Sequence, residues 1–152
     1  MDTTTEVQSR AGAKTAMIFE DAKINVKLKL AALWIVLMFC YTYADILGFY
    51  APGNLAELIS GEIAGIRMTQ GMLFGSAILM AVPSLMVFLS LALRARANRV
   101  VNIIAGLIYL VVLGSTFFTG RNPAYYLFFA ALKAILLVLI VWLAWRWPRE
   151  NA

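Results

Sequence analysis

Apolar residues dominate four long stretches of this chain, and short polar or basic links separate them. The first begins after Lys29 and runs for twenty-one residues to Tyr50 with a single charge, Asp45. A helix needs roughly 20 mostly apolar residues to cross a hydrocarbon core about 30 Å thick. The pattern therefore predicts membrane spans over 28–50, 70–93, 100–119 and 124–147, in an all-α, integral membrane protein. Ala51-Pro52-Gly53 stops the first span, and Gly120-Arg121-Asn122-Pro123 makes a tight turn before the fourth.

Between the first two spans, Leu55, Leu58, Ile59, Ile63 and Ile66 recur at helical spacing behind Asn54, a candidate N-cap. They predict a short amphipathic helix over 54–69, with Glu57, Glu62 and Arg67 on its solvated side. Residues 1–27 form a polar lead-in, disordered at first and then either irregular or interfacial, where Met17, Ile18 and Ile24 alternate with charges. Residues 148–152 are a polar C-terminal end.

Composition agrees with the pattern. The chain has 152 residues, 62% hydrophobic and 14% charged, with mean hydropathy +0.82, whereas soluble domains sit near about 25% charged. The net charge of +5 is explained by where the cations fall, and no basic, aromatic-interleaved motif points to nucleic acid. Ten Lys and Arg residues lie in the N-terminal lead-in, the Arg94–Arg99 link, the C-terminal end and, with Lys29 and Arg146, the span ends beside them, against Arg67 and Arg121 on the other side. The positive-inside rule then places both termini in the cytoplasm, N-in and C-in. Short links make the four spans an antiparallel up-down bundle. Arg94, Arg96 and Arg99 set this topology and can also hold anionic lipid headgroups.

Candidate chemistry is sparse. Without histidine, Ser-His and Cys-His nucleophiles and His-ligated metal or haem sites are excluded. The lone Cys40 cannot form an internal disulfide and serves as a small apolar packing residue. No cofactor or metal is expected, and no catalytic residue.

Two membrane-depth charges stand out, because each costs about 2.5–3.5 kcal/mol at a span's centre. At 1.5 Å per residue, Asp45 lies about 7–8 Å and Lys133 about 13–14 Å below the outer ends of their spans. An extended lysine covers that difference, so the depths predict an Asp45–Lys133 pair inside the bundle. Tyr41, Tyr126 and Gln70 are expected around it, as donors to the carboxylate. Such a pair either fixes helix register or forms an outward-facing polar site for a solute or ion. Gly71 and Gly75 form a G-x-x-x-G pair suited to close helix packing. Pro83 should kink the second span and free a backbone carbonyl one turn earlier, with Ser76 and Ser84 available to satisfy it.

The strings LWIVLMFCYTYADILGFYAPG, RMTQGMLFGSAILMAVPSLMV, RANRVVNIIAG and AYYLFFA, in this order, resemble a bacterial family of small four-helix integral membrane proteins of unknown function. The resemblance spans about Lys27 to Trp147. It implies a bacterial plasma-membrane location and four spans, and it transfers no activity or site residue. The expectation is a non-catalytic accessory or assembly membrane protein, with membrane-protein partners or a homo-oligomer. The alternative is a small carrier using Asp45 and Lys133.

Overall fold

Asn25 starts the first helix: its side chain accepts a hydrogen bond from the Lys27 backbone N–H at 2.9 Å, which supplies an orphan donor of the first turn with a partner. The computed structural model describes residues 24–63, 65–119 and 123–147; the N-terminal lead-in and the C-terminal end expected from sequence lie outside them. Helix α1 covers Val26–Tyr50, α2 Asn54–Ile59, α3 Gln70–Ala92, α4 Ala95–Thr116 and α5 Ala124–Trp145, with a 3-10 turn at Phe117–Thr119 after α4. Four of these, α1, α3, α4 and α5, are long and apolar enough to span a membrane.

The helices pack in a particular order. α1 lies against both α3 and α5, and α5 also packs against α4, whereas α3 and α4 meet sparsely. On α1 the buried residues Leu30, Trp34, Leu37, Tyr41 and Ala44 recur every three or four positions, the spacing that puts side chains on one face. Helices α4 and α5 come close together at Gly106. A Cβ there would come within 2.6 Å of the Val141 side chain and 3.8 Å of the Leu137 carbonyl, so α4 and α5 depend on a missing side chain. By contrast, Gly71 and Gly75 are exposed, and a Cβ on Gly75 would meet nothing within 4 Å. The expected G-x-x-x-G pair therefore packs no two helices of this chain together.

Two boundaries differ from expectation. The link 94–99 is not a loop: α4 begins at Ala95, so Arg96 and Arg99 are helical and Arg94 occupies the extended N-cap position. Alanine and arginine are good helix formers, and the turn shrinks to Leu93 and Arg94. The Lys27 ammonium reaches this turn and donates to the Leu93 carbonyl at 2.7 Å and the Leu91 carbonyl at 3.3 Å, covering free acceptors at the end of α3.

The helix expected over 54–69 stops at Ile59. Glu62–Ile63 then pairs antiparallel with Ile66–Arg67, Glu62 opposite Arg67 and Ile63 opposite Ile66. The reason is local: Gly61 and Gly65 adopt φ of 79° and 76°, left-handed backbone that breaks a helix and closes a hairpin. Asn54 also differs from its expected role. Gly53 is the N-cap, and the Asn54 amide donates to the Gly48 carbonyl at 3.0 Å, tying α2 to the end of α1.

Candidate functional site

Serine, threonine and asparagine side chains in an apolar helix need partners, because hydrocarbon offers none. Several solve this locally. Thr42 bonds back to the Met38 carbonyl at 3.0 Å, and Ser84 to the Met80 carbonyl at 3.0 Å. The more consequential polar groups cross between helices, in two places.

Nearer the Leu93–Arg94 turn, Trp34, Ser90, Asn98 and Asn102 are each fully buried. The Trp34 indole Nε1 donates to Asn102 Oδ1 at 2.7 Å, and the Ser90 hydroxyl donates to the same oxygen at 3.2 Å. Asn102 Nδ2 donates to the Asn98 carbonyl and side-chain oxygen at 2.9 and 2.6 Å. The Asn98 amide in turn donates to the Ser90 carbonyl. One knot of hydrogen bonds thus joins α1, α3 and α4. Further along, the Tyr109 hydroxyl donates to the Leu79 carbonyl. That carbonyl lies four residues before Pro83, which has no N–H to offer it. The acceptor freed by the proline is met by a tyrosine from α4; Ser84 bonds Met80 instead.

The second cluster lies in the half nearer the hairpin. Lys133 of α5 is 2% exposed, with Nζ 4.3 Å from the Tyr41 ring centre and 5.1 Å from that of Tyr126. Both distances suit attraction between a cation and an aromatic face. Two of the residues expected around Lys133, Tyr41 and Tyr126, are therefore present, but they offer ring faces and not hydroxyls. The Tyr41 hydroxyl is buried with no hydrogen-bond partner among the described residues.

The carboxylate does not complete this cluster. Asp45 is exposed, one turn along α1 from Tyr41, and neither it nor Lys133 makes a hydrogen bond or ion pair to another described residue. The two charges make no direct ion pair, yet each lies within electrostatic reach of the other. Lys133 points between α1 and α5, and Asp45 sits at the margin of the α1 face that Tyr41 and Ala44 bury. Gln70 is the exposed first residue of α3 and is not drawn to either charge.

Two other arginines at the end nearer the Leu93–Arg94 turn lie against aromatic rings. The Arg99 guanidinium lies 5.6 Å from the Trp145 ring centre, and that of Arg146 lies 5.2 Å from Trp142. Asn102 receives Trp34 from sixty-eight residues away, a pairing that no local sequence pattern announces. Its one available signal was polarity: Asn98 and Asn102 fall four residues apart, on one helical face.

Residues 16–152 match the model of a family of unknown function, DUF6326, and the chain belongs to that family. The match extends past the stretch on which the resemblance rested, at both ends. No curated protein and no solved structure matches the chain.

Proposed function

We propose, from membership of that uncharacterised family and from the site geometry, that this is a non-catalytic accessory or assembly protein of the plasma membrane. Its four long helices cross the bilayer in alternating directions, with both termini on the cytoplasmic side where the arginine turn lies. The exposed Asp45 carries this proposal. A carboxylate on the surface of a span, with no hydrogen bond or direct ion pair to a described residue and only the through-space field of Lys133 to offset it, is expensive toward lipid. A second membrane segment bearing a cation or hydrogen-bond donor would relieve that cost, and the charge would then select the partner.

The test compares wild type with Asp45→Asn by affinity purification from membranes in mild detergent. A membrane protein that co-purifies with wild type and is lost from the variant, at equal membrane levels of both, is the expected result. An unchanged set of co-purifying proteins would refute it. Carrier function remains the alternative, favoured by the unsatisfied Tyr41 hydroxyl beside Lys133. It predicts that Lys133→Met abolishes movement of a solute across vesicles while co-purification is retained.

A further inference from the structure

α3 and α4 share the shortest link between long helices, yet they lean on different neighbours, α1 and α5. Between them opens an apolar groove of about 530 Å³, walled by residues such as Leu79, Leu85 and Met86 on α3 and Val101 and Ile104 on α4. Along α3 the lining runs from Leu89 to Gly75, about 21 Å at 1.5 Å per residue. One leaflet of hydrocarbon is about 15 Å deep, so the groove is long enough for an acyl chain entering from the arginine turn.

Charge identifies what would enter there. The turn at the foot of the groove carries Arg94, and Arg96 follows in the first turn of α4, both exposed and neither paired with another described residue. The Lys27 ammonium sits at the same turn, on the Leu93 carbonyl. The carboxylates among the described residues, Asp45, Glu57 and Glu62, all belong to the opposite end. Three cations without a counter-charge among the described residues adjoin an apolar slot, and the complementary molecule is an amphiphile with an anionic head. A docked helix fits less well, because close helix approach needs small residues and long or branched side chains line most of the groove.

We propose that the α3–α4 groove holds one anionic phospholipid, its acyl chain between the two helices and its phosphate against Lys27, Arg94 and Arg96. This rests on the chain being embedded in a bilayer, and it is independent of any partner at Asp45.

Native mass spectrometry of the full chain tests it, with phosphatidylglycerol and phosphatidylcholine of identical acyl chains added in equal amounts. Wild type is expected to keep one phosphatidylglycerol per chain, with a preference over phosphatidylcholine on the order of a hundredfold, given about 1 kcal/mol for each of the three basic residues near the headgroup. The double variant Arg94→Gln, Arg96→Gln should fall toward parity. Ile104→Trp, which fills the groove from an exposed position, should lose both lipids. Arg146→Gln, at the same end but outside the groove, should change nothing. Equal retention of the two lipids by wild type, or undiminished preference in the double variant, overturns the proposal. So does a lipid-free dimer, which would mark the groove as a contact between copies. Release of the chain from membranes by alkaline wash would instead refute the membrane embedding on which the proposal stands.

Discussion

Trp34 and Tyr41 stand two turns apart on one face of α1, and each carries a single polar atom into the core. The Trp34 indole N–H finds Asn102, which also receives Ser90 and donates to Asn98. The Tyr41 hydroxyl finds nothing among the described residues, and its ring lies against Lys133 instead. The first cluster is closed by directional bonds among three helices, so rotating or sliding any one of them breaks several at once. Around Lys133 the contacts are with ring faces, which tolerate displacement and impose little register. One half of the molecule is therefore specified by hydrogen bonds, and the other retains unsatisfied polar capacity.

Substitutions should separate the two halves clearly. The largest effect is expected from Asn102→Ala, which strands the Trp34 indole, the Ser90 hydroxyl and the Asn98 amide oxygen together. A loss of about 2–4 kcal/mol follows, since each buried unsatisfied group costs about 1–3 kcal/mol and the membrane setting lowers the sum. Unfolding in mixed micelles by a denaturing detergent would measure it. A loss below that for Tyr41→Phe would break the comparison. Next comes Gly106→Ala, which forces the α4–α5 contact apart where Val141 leaves no room. About 1–3 kcal/mol is expected from overpacking, against almost none for Gly75→Ala.

Tyr109→Phe should cost about 1 kcal/mol by uncovering the Leu79 carbonyl. A double-mutant cycle sharpens this expectation. In a Pro83→Ala background residue 83 regains its N–H, so Tyr109→Phe should become nearly neutral. Full additivity of the two changes would show that the hydroxyl does not serve the proline's orphan acceptor. The smallest effect is expected at the open cluster: Tyr41→Phe removes a hydroxyl with no described partner and should shift stability by less than about 0.5 kcal/mol. A larger loss would reveal a bound group on that hydroxyl, which is the outcome the carrier alternative requires.

Much of the architecture is readable along the chain. All four long helices fall where apolar length demanded them, and the stops at Tyr50 and Ala92 lie within a residue of those expected. The misreadings have identifiable causes. Arg96 and Arg99 suggested a loop because charge was weighed above helix propensity. The isoleucines after Asn54 kept helical spacing while Gly61 and Gly65 broke the backbone beneath them. At the candidate site, Lys133, Tyr41 and Tyr126 do converge, Asp45 lies within electrostatic reach of Lys133 without a direct ion pair, and Gln70 is exposed at the start of α3.

Apolar length is a property of consecutive residues, so the number and extent of the spans could be read without knowing how they touch. Rotation of each helix about its axis could not. When nearly every position is apolar, no stripe distinguishes the face toward a neighbour from the face toward lipid. Whether Lys133 meets a carboxylate or a ring, whether Tyr109 reaches Leu79, and whether α3 and α4 close or gape all depend on that rotation. Packing settles it, through the bare surface of Gly106 and the hydrogen-bond knot at Asn102.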